Sequence, residues 1–173
     1  MDGHSSGGGP EGFDDFYVAE FAALARFLIR NGATVHEAAD AAQEAFVEAY
    51  GRWHSIKNPR AWMRKVAYRV FLRCVRVKEL SVEEPPETAG PLSPDVIVGL
   101  DEETQFVVDV FAELPYAQRR VMSYHYDGFS HSEIAAELSM SPDAVRQNLC
   151  RGRQRLIELL KEYGNKKKGT DDV

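Results

Sequence analysis

Apolar residues recur at intervals of three and four along most of the chain, which is the period of helices with one buried face. The clearest example has its apolar positions at Phe16, Phe21, Leu24, Phe27 and Leu28. No β-branched run alternates with polar residues in the manner of a half-buried strand. The pattern therefore predicts an all-α protein.

Residues that start and stop helices punctuate this pattern. Asp14 is a candidate cap, Asn31-Gly32 a stop, and Thr34 with Glu37 has the spacing of a capping box. Asn58-Pro59 suits the cap and the first position of another helix. Helices are predicted at about 14–30, 34–51, 58–77, 95–113, 115–127, 131–138 and 142–161.

A change of composition divides the chain near its middle. Half of the eight prolines lie within residues 85–94, beside a cluster of glutamates. This composition predicts a flexible, acidic, proline-rich linker at 79–94 between two small helical domains, 13–78 and 95–163. The glycine- and serine-rich residues 1–12 and the C-terminal residues 164–173 are predicted to be disordered tails.

Charge is distributed in blocks. The net charge of −6 alone would argue against a nucleic-acid binder. However, residues 52–78 contain nine basic residues and no acid, whereas residues 79–114 contain ten acids and no base. The basic block suits the binding of phosphates, with a solvated basic helix as the alternative.

Residues 128–160 have the pattern of a helix-turn-helix. Ser130 and Glu133 have capping-box spacing, and Ser139 to Ser141 form the predicted turn. Ser141 would cap the second helix, with Pro142 as its first residue. The alternative is a helical hairpin with a solvated basic face, because Ser139 stands where such turns often have glycine.

The second of these helices has distinct faces. Val145, Leu149 and Leu156 can pack inward, leaving polar and cationic residues outside. Arg146 and Gln147, near its start, are predicted to contact base edges, and the later arginines are better placed for phosphates. The candidate duplex-binding residues are Ser141, Asp143, Arg146, Gln147, Arg151 and Arg153.

Two adjacent helices in the first half differ sharply in polarity. Asp40, Gln43 and Glu44 share one face among many alanines, where a partner helix or a basic groove could bind. On the following helix, rings and cations interleave in a manner suited to single-stranded nucleic acid: Trp62, Lys65, Tyr68 and Arg69. The alternative reading places Trp62, with its apolar neighbours Val66 and Phe71, in the core.

The sequence blocks described above occur together in an order that resembles a known protein family. The order of ADAAQEAFVEAY, a loop with Trp53, AWMRKVAYRVFLRCVR, the acidic linker and ELPYAQRRVMSYHYDGFSHSEIAAELSMSPDAVRQNLCRGRQRLIELL resembles the bacterial extracytoplasmic-function sigma factors. The resemblance covers about 150 of the 173 residues. It implies a sigma-2-like domain of three to four helices and a sigma-4-like helix-turn-helix domain, which bind core RNA polymerase and promoter DNA.

The resemblance also assigns roles by position. It places Asp40, Gln43, Glu44 and Glu48 on the helix that grips the β′ coiled coil of the polymerase. It places the second domain on the β flap and on the minus-thirty-five element. Minus-ten contacts are implied for Trp53, Lys57, Arg60, Trp62, Lys65, Tyr68, Arg69 and Arg73. An anti-sigma factor as inhibitor and a monomeric free state are also implied, with no catalytic residue, metal or cofactor.

The chain departs from the family pattern at two of these positions. The family commonly has Ala-Arg-Asn followed by an acid four residues beyond the asparagine, whereas this chain has Ala67-Tyr68-Arg69 and then Arg73. Both changes add positive charge. They predict a stronger contact with the DNA backbone and leave the base preference at the minus-ten element open.

Other classes fit the sequence less well. A response regulator would need alternating strands and helices in residues 13–78, and an enzyme would need a converging set of reactive groups that the scattered histidines do not supply. Cys74 and Cys150 lack the spacing of a zinc site or a disulfide and are predicted to be small core residues. Without a signal peptide or a long apolar segment, we expect a cytoplasmic protein, nucleoid-associated when bound to polymerase, that does not insert into membranes.

Overall fold

The computed structural model describes residues 10–80 and 102–168, and every regular element within these ranges is helical. The elements are α1 Phe13–Arg30, α2 Val35–Tyr50, a short 3-10 turn at Trp53–Ser55, α3 Pro59–Leu80, α4 Glu102–Ala112, α5 Tyr116–Tyr126, α6 His131–Leu138 and α7 Pro142–Lys168. The all-α prediction is thus confirmed for the described residues. Since residues 13–78 contain no strand, the response-regulator alternative is excluded. Most of the predicted linker, and the first part of the predicted helix 95–113, lie outside the described residues.

The first compact unit comprises described residues 10–28 and 34–80. Its core combines large apolar side chains of α1, including Phe27 and Leu28, with a row of alanines on α2. Ala38, Ala42, Ala45 and Ala49 are completely buried. Because these side chains are small, α2 and α3 can pack closely along one another. This packing places the polar edges of the two helices side by side.

The helix starts follow the sequence signals with one exception. At α2, Glu37 N–H donates to Thr34 Oγ1 at 3.3 Å and Thr34 N–H donates to Glu37 Oε2 at 2.9 Å. At α3, Ala61 N–H donates to Asn58 Oδ1 at 3.3 Å. The prediction for Asp14 is wrong, because α1 begins at Phe13 and Asp14 belongs to its first turn. In the first turn its carboxylate interacts favourably with the positive end of the helix dipole, and it does not cap the helix.

The second compact unit contains described residues 102–168 together with 29–33. Helix α5 packs against α6 and α7, and α4 packs against α7. The core is formed by buried apolar and aromatic residues from all four helices, among them Phe111, Val121, Tyr124, Ile134 and Leu149. This core fixes the orientation of α6 and α7, and the outer face of α7 carries the predicted contacts with duplex DNA.

Two predictions for α7 need correction. The helix continues to Lys168, past its predicted end near 161 and into the predicted tail. Cys150 is exposed, not buried, because Val145 and Leu149 occupy the inner face and Cys150 lies about 100° further round the helix. Cys74 is half-buried.

No helix in the two described stretches has both the length and the apolar character that a bilayer crossing requires.

Candidate nucleic-acid interface

The start of α7 is a well-defined helix N-terminus with an exposed polar face. Ala144 N–H donates to Ser141 Oγ at 3.1 Å, as expected for a capping serine. Val145 and Leu149 are buried, so the helix rotation is fixed. All six candidate duplex-binding residues are consequently exposed: Ser141, Asp143, Arg146, Gln147, Arg151 and Arg153.

The turn before α7 adopts the conformation that glycine usually provides. Ser139 has φ 51° and ψ 44°, in the left-handed region. Met140 N–H donates to Ala135 O at 2.9 Å and closes the end of α6. Helix α6 itself begins with the predicted capping box of Ser130 and Glu133. The local geometry of a helix-turn-helix therefore forms without glycine in the turn.

Two of the candidate DNA-binding arginines on α7 have partners in the second unit. Arg146 forms an ion pair with Asp143, one turn earlier, and both side chains are exposed. Arg153 Nη2 lies 2.8 Å from Nε2 of His125 on α5. Burial, with Arg153 and the nearby His131 as further causes, lowers the pKa of His125. In the sequence His125 is one of the scattered histidines, and its position beside Arg153 depends on tertiary packing.

A cationic stripe, defined here as Lys65, Arg69 and Arg73, runs along the exposed side of α3. The three residues are four apart, so their side chains follow one another along the helix surface. Trp62 is half-buried at the start of this stripe, and Lys57 and Arg60 are exposed before it. The stripe retains the interleaving of a ring with cations that the sequence predicts.

Tyr68 does not belong to this surface. Its side chain is 7% exposed, and its ring centroid lies 6.0 Å from that of Phe71. Tyr68 is one position before Arg69 and therefore about 100° away from the stripe. In this structure Tyr68 is a core residue, which corrects the expectation that its ring stacks on bases.

Trp53 is half-buried in an aromatic cluster. Its indole N–H donates to Glu11 O at 3.0 Å, and its ring packs on Phe13 and Phe16 with centroids 5.2 and 5.0 Å apart. Phe46 and Tyr17 extend the cluster, where burial raises the pKa of Tyr17. The indole of Trp53 thus holds the start of α1 against the loop after α2.

The acidic face of α2 comprises Asp40, Gln43 and Glu44, and Val47 lies on it with 71% exposure. Asp40 and Glu44 are exposed and Gln43 is half-buried. Val47 is three residues from Glu44, which is the spacing that could have identified it. An acidic helix face with an exposed apolar centre suits a partner helix that carries both cations and apolar groups.

Residues predicted for two different partners meet at the edge between α2 and α3. Glu48 Oε2 lies 2.9 Å from Arg69 Nη2, and Glu48 Oε1 lies 3.6 Å from Arg52 Nη2. Glu44 forms an ion pair with Arg73. The hydrogen bond and the charge of Glu44 raise the pKa of Arg73. Thus two of the candidate polymerase contacts neutralise two of the candidate DNA contacts.

One residue of the basic block is structural. Arg64 is 1% exposed, and its Nη1 lies 3.1 Å from Oε2 of Glu20 on α1. Glu20 Oε1 also contacts Arg60 Nε at 3.1 Å. Arg64 lies within the basic block 52–78 that was predicted to bind phosphates, because charge composition alone does not show which face of a helix is buried. Within the described parts of the chain, no group of three or more histidine, cysteine, aspartate or glutamate residues could hold a metal ion.

Comparison with known proteins agrees with this architecture. Residues 107–156 match the family model "Sigma-70, region 4". The chain is 31% identical over 153 residues to the RNA polymerase sigma-E factor of Streptomyces coelicolor, covering 86% of this chain and 85% of that one. It is 25% identical to the sigma factor SigM of Bacillus subtilis, covering 84% and 93%.

Solved structures show the same fold. The sigma factor RpoE of Bartonella quintana, determined with the anti-sigma factor NepR, superposes with a TM-score of 0.65 at 22% identity over 88% of this chain and 98% of that one. The sigma factor SigJ of Mycobacterium tuberculosis gives a TM-score of 0.54 at 29% identity, covering 83% of this chain and 52% of that one. The chain therefore belongs to the extracytoplasmic-function sigma factors of bacterial RNA polymerase.

Proposed function

We propose that this protein grips core RNA polymerase through the acidic face of α2, reads the minus-thirty-five element through α7 and opens the minus-ten element with the cationic stripe of α3. Family membership already establishes promoter-specific transcription initiation with RNA polymerase as its general role. Its relatives are initiation factors and not enzymes. The residue assignments are what the proposal adds.

The observation that carries the proposal is the exposed N-terminal face of α7. Arg146 and Gln147 occupy its first turns, and both can form bidentate contacts with base edges in a major groove. Arg151 and Arg153 lie further along, where a docked recognition helix approaches the phosphates. Buried Val145 and Leu149 fix this rotation, so the arrangement does not depend on a mobile loop.

The first unit supports the minus-ten assignment through charge and a ring on one face. Lys65, Arg69 and Arg73 can follow a sugar-phosphate backbone, and half-buried Trp62 offers part of its ring beside them. Lys57 and Arg60 would extend the contact before α3. Trp53 retains the role that the resemblance implies only if its ring leaves the aromatic cluster around Phe13 and Phe16.

Polymerase binding draws on two surfaces in the proposal. The face of Asp40, Gln43 and Glu44, with Glu48 at its flank, would meet the β′ coiled coil, and exposed Val47 would add an apolar contact. In the second unit, Ile157 and Leu160 are 52% and 49% exposed on α7, and they would supply apolar contacts to the β flap.

An anti-sigma factor is the proposed inhibitor. The similar structure of RpoE was determined in complex with an anti-sigma factor. In this protein, a partner that covers the acidic face of α2 would compete directly with polymerase. The free chain would then be a monomer in the cytoplasm, and the holoenzyme would be associated with the nucleoid.

In vitro transcription tests the proposal. Core RNA polymerase and the purified protein would transcribe fragmented genomic DNA, and the 5′ ends of the transcripts would be sequenced. We expect start sites that share one motif near minus ten and another near minus thirty-five. The variant Arg146→Ala with Gln147→Ala should still bind core enzyme and should lose only the minus-thirty-five motif. Start sites no different from those of core enzyme alone would contradict the proposal.

A further inference from the structure

The edge between α2 and α3 contains two ion pairs that link surfaces assigned to different partners. Glu48 bonds to Arg69 through both carboxylate oxygens, at 2.9 and 3.2 Å, and Glu44 bonds to Arg73. The arginine side chains are 64% and 58% exposed, so their guanidinium groups are already at the surface. The glutamates are 29% and 49% exposed. All four groups are accessible to a new partner without any change in the core.

We propose that Glu44 and Glu48 mask Arg69 and Arg73 in the free chain, and that a cationic partner helix bound to α2 releases both arginines to the DNA backbone. The release of the arginines by a partner rests on the proposed function, in which the β′ coiled coil binds the acidic face of α2. The masking of the arginines concerns the free protein alone. Together they make polymerase binding and backbone binding mutually favourable.

The arginines are released because cations of the partner helix compete with them for the carboxylates of Glu44 and Glu48. Each glutamate has two oxygens, and those of Glu48 already contact Arg69 and Arg52. A cation supplied by a partner helix would have to share or displace these bonds. Exposed ion pairs contribute little net stability, because solvent and salt screen them. The exchange therefore needs only new side-chain rotamers, while Val66 and Val70 hold α3 in place.

Masking has a measurable consequence for DNA binding. An arginine bound to a carboxylate is partly neutralised and releases fewer counterions when it meets a phosphate. Freeing it should tighten binding to single-stranded DNA and should steepen the dependence on salt, since the slope grows by about 0.7 for each phosphate neutralised. These two readouts separate a released cation from a change in folding, which would weaken binding.

The test uses the full free chain and a single-stranded oligonucleotide of random sequence, followed by fluorescence anisotropy at two salt concentrations. The variant Glu44→Gln with Glu48→Gln should bind about three to ten times more tightly than the wild type, with a steeper salt slope. Asp40→Asn is the matched control for each single variant, Glu44→Gln and Glu48→Gln, because each of these variants also loses one negative charge. It removes a charge from the same helix, and among the described residues Asp40 has no salt bridge.

A double-mutant cycle tests whether the gain in DNA affinity depends on Arg69 and Arg73, as masking requires. In the background Arg69→Gln with Arg73→Gln, each single glutamate substitution should add no more affinity than Asp40→Asn does. An equal gain in both backgrounds, or a gain matched by Asp40→Asn in the wild type, would show a general charge effect and overturn masking. Thermal unfolding of each variant identifies any that fail to fold, and the remaining single substitutions then complete the cycle.

Binding to core RNA polymerase tests whether a partner releases the two arginines. Because linkage is reciprocal, Arg69→Gln with Arg73→Gln should bind core enzyme more tightly than the wild type, through the freed glutamates. Unchanged or weaker binding would overturn the release by a partner. If the wild type itself does not bind core enzyme, the proposed function fails, and the oligonucleotide measurements still decide the masking separately.

Discussion

Arg153 and His125 are joined through a single ring nitrogen, with 2.8 Å between Nη2 of the arginine and Nε2 of the histidine. A guanidinium group can only donate, so Nε2 must be the acceptor and the imidazole must carry its proton on Nδ1. Protonation of His125 would remove this acceptor and place two cations in contact. The orientation of one proposed phosphate contact of α7 is thus tied to the charge of a residue on α5.

The first prediction concerns the pH dependence of stability. Burial, Arg153 and His131 lower the pKa of His125 below its ordinary value of 6.5. Below pH 6.5 the unfolded chain therefore binds more protons than the folded chain, and stability falls as pH falls toward the lowered pKa. His125→Gln, which keeps an acceptor without titrating, should reduce the difference between urea unfolding at pH 7.5 and at pH 5.5. His36→Gln, at an exposed position on α2, is the control for the substitution itself.

A second prediction separates base readout from backbone contact on α7. Arg146→Ala should cost about 1 to 3 kcal/mol on the preferred minus-thirty-five sequence and should relax the preference for one base. Arg153→Ala should weaken all sequences equally and reduce the salt dependence by about one phosphate. Binding to single-base promoter variants at two salt concentrations measures both effects. The opposite assignment of effects would mean that the docked orientation of α7 is different.

A third prediction follows from the left-handed serine in the turn. Ser139 has φ 51°, a conformation that glycine adopts without steric cost. Ser139→Gly should raise the free energy of unfolding by about 0.5 to 1 kcal/mol in urea. Ala136→Gly, at an exposed position inside α6, should lower it by about 1 kcal/mol. A loss of stability at both positions would show that Ser139 is not strained.

The sequence predicts the helices well because their signals are local. The capping pairs Thr34 with Glu37 and Ser130 with Glu133 act within one turn, and both form as expected. Apolar spacing also predicts that Val145 and Leu149 lie on the buried face of α7. Such features need no knowledge of the neighbouring helices.

What the sequence does not predict depends on tertiary contact. Tyr68 and Arg64 lie in a strongly basic segment, and only the packing of α3 shows that both are buried. The pairing of Glu48 with Arg69 joins residues 21 positions apart, so neither charge composition nor helical spacing reveals it. Charge blocks locate a binding surface roughly, and the packing decides which of its cations are available.

A fourth prediction concerns the buried ion pair of the first unit. Arg64 Nη1 lies 3.1 Å from Glu20 Oε2, with side-chain exposures of 1% and 16%. Glu20→Gln should lower the free energy of unfolding by about 3 kcal/mol, because it removes the charge of a carboxylate that contacts a buried arginine. Arg60→Gln, at the exposed contact of the same glutamate, should cost less than about 1 kcal/mol. Chemical denaturation of both variants provides the measurement, and similar losses would contradict a specific role for burial.

The last prediction concerns the close approach of α7 to α5 at Gly152. Gly152 is buried, and a Cβ there would lie 2.8 Å from Cγ and 3.2 Å from Sδ of Met122. Alanine in place of glycine usually stabilises a helix interior by about 1 kcal/mol. Here the clash should reverse the sign and lower the free energy of unfolding by about 1 to 2 kcal/mol. In the background Met122→Ala the same substitution should regain most of this loss, because the atoms that it meets are absent. Urea denaturation of the four proteins gives the coupling free energy, and purely additive effects would show that contact with Met122 does not cause the loss.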